Sequence, residues 1–274
     1  MKNRIVLAFL CALWMPLHAQ DTCVFRYLIA QKADFATADH LGNTYLLHGF
    51  ELEKYDSTGH FVSRYSTNRL GSPTYVDVFN PLKVMIWYGD FQTIVFLDRN
   101  LTELGKVNMA QAGFPALRGL SVSADGNLWA YDELTAQLIK LNHSGIKLLE
   151  SQPLNLDFAR SLRPTCIRDN AGQGPWMSEP GLGVAIFDPY LRASSVIPVK
   201  DLLSFIIHED MACLLTTDGI QMEPVRGYAS RSISFPTDIK AKARQMWLAT
   251  RNLLVLTEMG VEVYEIRWTV DGGR

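Results

Sequence analysis

The sequence predicts an all-β chain: a β-propeller of about six four-stranded blades. Three observations carry this reading. A turn signature recurs six times, at positions 56, 98, 142, 188, 224 and 265, at intervals of 42, 44, 46, 36 and 41 residues. Four-stranded propeller blades repeat at about that period. The segments between the turns are short, apolar or aromatic, and bounded by Gly, Asn and Asp, as hairpin strands are. No segment sustains an apolar i, i+3, i+4, i+7 stripe over three turns, so the sequence shows almost no helical signal.

The repeat is clearest in two segments. Asp39-His-Leu-Gly-Asn-Thr-Tyr-Leu46 is followed by Leu52-Glu-Lys-Tyr-Asp-Ser-Thr-Gly59. Ala124-Asp-Gly-Asn-Leu-Trp-Ala-Tyr131 is followed by Leu138-Ile-Lys-Leu-Asn-His-Ser-Gly145. Gly42-Asn43 and Gly126-Asn127 stand where a tight turn needs positive φ. Asp56 and Asn142 open a second turn, where such side chains bond their own backbone two residues on. Between these segments, Val84–Tyr88 matches the aromatic strand and Ile94–Asp98 the strand that ends in the second turn. The C-terminal half carries a looser form at Gly183–Asp188, Gly219–Pro224 and Gly260–Glu265. Asp238–Arg244 reads as one or two helical turns, or as a charged loop or strand edge. Val24–Ile29 stands alone before the first repeat. Because open sheet edges are sticky, it is expected to pair with Val261–Ile266 and close the ring. A β-sandwich or an open solenoid is the alternative architecture.

Residues 1–19 read as a signal peptide and residues 20–274 as a single propeller domain with no linker. Lys2 and Arg4 precede the apolar run Ile5–Met15, Pro16 ends it, and Ala19 is a small residue at a cleavage point. The run is too short for a membrane span, which needs about 20 apolar residues, and no later window is longer. Neither Cys11 nor Cys23 has a lipobox context. The signal resembles those of Gram-negative bacteria such as the Bacteroidota, which implies a periplasmic or extracellular protein. Of the cysteines, Cys23, Cys166 and Cys213 follow the cleavage point. One disulfide and one free thiol is one reading, and three small buried hydrophobes the other. A net charge of −2 gives no support for a nucleic-acid partner or an anionic membrane surface.

The unit Asp-x-x-Gly-Asn-x-aromatic-apolar, then Leu-x-Lys-apolar-Asp-x-x-Gly, resembles the NHL-type and streptogramin-lyase-type propeller repeat. Ser123–Tyr131 shows it best. The resemblance covers the N-terminal half well and the C-terminal half loosely, and it implies a fold that hosts lyases, lactonases, ligand binders and scaffolds. Enzymes of this type set metal ligands or a His-Glu pair around the central channel. His40, His60 and His143 fall at or beside turns, and His48 stands near a strand end where it is a candidate for burial. His208-Glu209-Asp210 is the one local cluster of acid–base type. Neighbours along a strand point to opposite faces, so a hairpin turn is the simpler reading. There is no Gly-x-Ser-x-Gly, no His-Glu-x-x-His and no phosphate-binding glycine loop.

The least regular stretch, Asp169–Gly183, holds Trp176, Met177 and Glu179. It reads either as a specialised interaction loop or as a blade with Trp176 as its buried aromatic, equivalent to Trp87 and Trp129. Arg160, Arg163 and Arg168 precede it as a modest basic patch or a scattered solvated face. The expectation is an exported interaction or scaffold module with a protein partner and no cofactor, without a membrane span and associated peripherally through an outer-membrane protein. A metal-dependent hydrolase or lyase, or a binder of carbohydrate or another small ligand, is the alternative.

Overall fold

A computed structural model describes residues 22–208, 211–224, 230–235 and 237–267. They form six four-stranded antiparallel sheets arranged as a six-bladed propeller. The chain enters through β1 (Thr22–Ile29). Blade 1 is β2 (Phe35–Ala38), β3 (Thr44–His48), β4 (Glu51–Tyr55) and β5 (Phe61–Ser66). Blade 2 is β6 (Tyr75–Asp77), β7 (Val84–Tyr88), β8 (Thr93–Leu97) and β9 (Glu103–Asn108). Blade 3 is β10 (Leu117–Val122), β11 (Leu128–Asp132), β12 (Gln137–Leu141) and β13 (Lys147–Glu150). After the short helix α1 (Leu154–Asp157), blade 4 is β14 (Cys166–Asp169), β15 (Pro175–Glu179), β16 (Gly183–Phe187) and β17 (Ala193–Ile197). Blade 5 is β18 (Ser204–His208), β19 (Met211–Leu215), β20 (Gly219–Pro224) and β21 (Arg231–Ser234). Helix α2 (Thr237–Lys242) leads into β22 (Gln245–Ala249), β23 (Asn252–Leu256) and β24 (Val261–Arg267), and β1 completes blade 6 beside β24.

The first strand of each blade lies at the axis and the last at the rim. Second and third strands are covered on both faces by neighbouring blades, so many read as apolar runs without alternation: β7, β8, β11, β15 and β16 are buried at every position, while β4 and β24 keep some alternation. Rim strands such as β5 and β17 are mostly exposed. Six buried apolar clusters are found among the described residues, one in each interface between adjacent blades. Trp176 therefore packs with Phe205 and Leu214 of the next blade, and Tyr45 with Val76 and Ile86 of its own next blade.

The repeat signature now has physical causes. Asp56, Asp98, Asn142 and Asp188 each accept two backbone N–H groups with Oδ1, from the second and fourth residues on, at 2.8–3.0 Å. Each shapes the turn from the third strand to the fourth. The last two markers differ: Pro224 and Glu265 lie within third strands β20 and β24. The lysine of the repeat faces the aromatic directly across the hairpin, Lys54 opposite Tyr45 and Lys140 opposite Trp129. Their Nζ atoms lie 5.4 and 4.6 Å from the ring centroids, a cation–π contact on each blade. Gly42 and Gly126 adopt φ of +87° and +82°, as their turns require. The long interval between 142 and 188 holds the α1 segment; the short one between 188 and 224 has compact connections throughout.

β1 pairs with β24 from Thr22 opposite Arg267 to Ile29 opposite Val261, and Ile29 is buried against Ala36 and Leu254 between blades 6 and 1. The expected ring closure is thus the observed one. Gly260 makes the close approach feasible. Its φ is +136°, and a Cβ there would lie 2.2 Å from the Ile29 carbonyl oxygen. Other details depart from the sequence reading. Asp169–Gly183 is two ordinary blade hairpins, not a specialised loop. Trp176 and Trp129 are second residues of their strands, whereas Trp87 is the fourth of β7. His48 is exposed, not buried. Cys23, Cys166 and Cys213 are unbridged, and only Cys213 is fully buried. Residues 1–19 lie outside the described residues.

Gly260→Ala should destabilise the ring by about 2–4 kcal/mol, because it combines a strained φ with displacement of the closing strand. Urea unfolding measures this, and limited proteolysis within residues 22–29 should accelerate with it. A variant as stable and as resistant as the wild type would count against closure through this contact.

Candidate functional site

Six inner strands end around one opening at the axis, on the face reached by the turns between first and second strands. The opening is a cup of about 620 Å³, of a size that holds a small organic molecule. Aromatic side chains cross the channel below it. Phe35 of β2 stands 5.6 Å from Tyr75 of β6 and 6.2 Å from Trp247 of β22, centroid to centroid. Tyr75 reaches from blade 2 toward blade 4, where its hydroxyl meets Arg168 and Cys166. The cup wall mixes polar and apolar groups: Asp39, Asp77, Ser121, Arg168 and Asp169 come from blades 1 to 4, and Val78, Ile206, Ile207 and Ala249 are among its apolar residues.

Three aspartates in the lining tie the blade ends together. Asp39 accepts the Leu41 and Asn43 N–H groups with Oδ1 at 2.9 and 3.0 Å, and the Asn43 amide and Tyr45 hydroxyl with Oδ2 at 2.8 and 2.9 Å. Asp77 accepts the Phe79 N–H at 2.8 Å and, from blade 3, the Val122 N–H at 2.9 Å. Asp169 accepts the indole N–H of Trp129 at 2.6 Å, the Ser123 hydroxyl at 3.2 Å and its own blade's Gly172 N–H at 2.9 Å. These carboxylates staple turns and neighbouring blades. Arg168 differs from them. Its Nε donates to the Phe205 carbonyl at 2.8 Å, its guanidinium meets the Tyr75 hydroxyl, and no carboxylate lies within ion-pair distance of it among the described residues. Ser121, on β10, has a buried hydroxyl without a hydrogen-bond partner.

Burial sets the chemistry of this wall. It raises the Asp77 pKa, against the pull of the Val122 and Phe79 N–H groups and of Arg168. It also raises those of Tyr75 and Cys166, so both keep their protons near neutrality and Cys166 is a poor nucleophile. Among the described residues, no three His, Cys, Asp or Glu side chains converge as a metal site would require.

The residues singled out from the sequence lie elsewhere. Trp176 and Met177 are buried in β15, at 1% and 0% exposure, so the blade-aromatic reading of Trp176 is the one the structure shows. Glu179 ends the same strand, buried, accepting the Arg163 N–H at 2.7 Å and Arg160 Nη2 at 3.1 Å. Burial raises its pKa while that N–H and Arg160 oppose the rise. His208 ends β18 opposite Met211; Glu209 and Asp210 lie outside the described residues. None of the four described residues lines the cup. The three arginines disperse: Arg160 pairs with Glu179, Arg163 is exposed and Arg168 faces the axis. Tyr75, Asp77 and Ser121 went unnoticed. The signal for them was positional, since each sits on an inner strand just before the turn into the aromatic strand.

No family model matches the chain, and no curated protein matches it. Solved structures do share its fold. It is similar to a streptogramin B lyase, 12% identical over 85% of this chain and 78% of that one, with a TM-score of 0.57. It is similar to virginiamycin B lyase from Staphylococcus aureus, 11% identical over 91% and 89%, TM-score 0.56. A chain of the mitotic checkpoint complex is 10% identical over 85% and 76%, TM-score 0.57. At such identities the likeness establishes the propeller fold and nothing of activity.

The raised Asp77 pKa has a measurable consequence. The folded protein holds this proton more tightly than the unfolded chain, so the contribution of Asp77 favours folding at low pH. It is lost as pH rises from the ordinary carboxylate range through the raised native value. Asp56, held down to about 2 by Thr58 and His60, acts in the opposite sense. Comparison with Asp77→Asn isolates the first effect. In urea titrations from about pH 3 to about pH 7, the wild-type advantage over the variant should shrink as pH rises. A difference that does not change with pH would refute the buried, proton-retaining Asp77.

Proposed function

We propose that the chain is an exported interaction module that holds a protein partner on the propeller face opposite the cup. The observation that carries this is a row of exposed apolar side chains, one in each turn between second and third strands of four consecutive blades. Met259 of blade 6, Phe50 of blade 1, Phe91 of blade 2 and Leu134 of blade 3 are 72%, 45%, 50% and 70% exposed. Blade 4 has Pro180-Gly181 there with Leu182 packed inward, and blade 5 has Thr216-Thr217-Asp218. Single exposed apolar residues are ordinary on a protein surface. The same position filled in four adjacent blades makes an arc, and exposed apolar patches of that kind favour a protein interface.

Comparison leaves the choice to the surface. By their names, two of the similar structures are lyases and one is part of an assembly. Export rests on the Lys2–Ala19 segment alone, and it makes an envelope protein, such as an outer-membrane subunit, the partner class of this reading. No helix among the described residues is long and apolar enough to cross a membrane.

Two measurements test this. Glu at positions 50, 91, 134 and 259 together should abolish recovery of the cross-linked partner that a tagged wild-type chain retains in its native envelope. Melting should stay nearly unchanged, since exposed substitutions cost within about 0.5 kcal/mol each. Equal recovery by the two proteins would sink the arc as the interface. N-terminal sequencing of the cell-envelope form should begin at Gln20; an intact Met1 in a cytoplasmic fraction would overturn export.

A further inference from the structure

We infer that the cup on the opposite face binds a small monocarboxylate with a short apolar body, held by Arg168 and Tyr75. The site is independent of the apolar arc. The argument starts from which hydrogen-bonding groups the lining leaves unused. Asp39, Asp77 and Asp169 are acceptors already engaged by backbone N–H groups, an indole, an amide and hydroxyls. Arg168 is a donor with capacity left. One of its five N–H bonds goes to the Phe205 carbonyl, Tyr75 meets the same guanidinium, and no carboxylate stands within ion-pair distance among the described residues. Burial removes hydration from this guanidinium; Asp77, beyond ion-pair distance, and the Tyr75 hydroxyl offset that loss and keep it charged, while its remaining N–H groups are available to an acceptor. Ser121 adds a second sign. Of the buried side-chain oxygens and nitrogens without partners among the described residues, its hydroxyl is the one in the cup lining.

The unused capacity of Arg168 is donor capacity, and the Ser121 hydroxyl can donate as well as accept, so the pair favours an acceptor ligand. A planar carboxylate fits a guanidinium through two parallel hydrogen bonds. The apolar side of the cup, Ile206, Ile207 and Ala249 with Val78, offers contact to a short hydrocarbon body. The three aspartates set the charge limit. Asp39 and Asp169 add negative charge to the lining beside the proton-retaining Asp77, so a single anionic group is accommodated opposite Arg168 and polyanions such as phosphate esters are repelled.

Isothermal titration of the purified protein with hexanoate, hexanamide and hexylamine tests this. Hexanoate should bind at least tenfold more tightly than hexanamide, and hexylamine should not compete. Arg168→Gln should weaken hexanoate at least tenfold, and Tyr75→Phe, which keeps the ring against Phe35, by several-fold. Should Arg168→Gln fail to fold, Tyr75→Phe and Ser121→Ala decide. Each should weaken binding in a protein that still folds, with melting unchanged or raised for Ser121→Ala, whose hydroxyl has no partner, and somewhat lowered for Tyr75→Phe. Absence of hexanoate binding to folded protein, preference for the amine, or equal affinity of the wild type and the folded variants would each overturn the site.

Discussion

Every blade of this protein is covered on both faces, and that condition governs the rest of the structure. A sheet buried on one face alternates apolar and polar residues. Here several second and third strands are buried at every position, as Val84–Tyr88 and Gly183–Phe187 show, and exposure is greatest at rim strands such as β5. Each apolar cluster belongs to two blades, so no blade owns a complete core. The arrangement works only if the ring has no end. β1 on β24 supplies the closure, placing Ile29 in the cluster shared by blades 6 and 1.

Polar groups at the blade ends follow the same logic. Asp77 reaches the Val122 backbone of the next blade and Asp169 the Trp129 indole of the previous one. Lys54 crosses to the Arg99 carbonyl of blade 2 while lying over Tyr45. Apolar faces alone give non-directional attraction. These hydrogen bonds between blades set how far each one rotates against its neighbour, and so define the axial cup.

The two faces are chemically unlike. One opens on a walled cup where Arg168 is the cation and donors remain unused; the other presents the arc from Met259 through Phe50 and Phe91 to Leu134. Small-ligand binding and protein docking thus need not compete for one surface, and a rigid ring can carry both.

The blade count, the strands Val84–Tyr88 and Val24–Ile29, and the ring closure were legible in the residues, because these depend on local turn chemistry and hydrophobic pattern. Asp56, Asp98, Asn142 and Asp188 act on their own backbone within four residues, so their role is written in sequence neighbours. The cup was not legible. Tyr75, Ser121 and Arg168 stand on three blades, 46 and 47 residues apart, and nothing local records that they share a wall. Trp176 and Glu179 drew notice for their irregular glycine- and proline-rich surroundings, yet the fold buries both in an ordinary hairpin. Sequence by itself determined the repeating unit and its turns, since each is a contest among neighbouring residues. Tertiary structure alone decided which side chains meet at the axis, because that depends on how six similar units are rotated around one another.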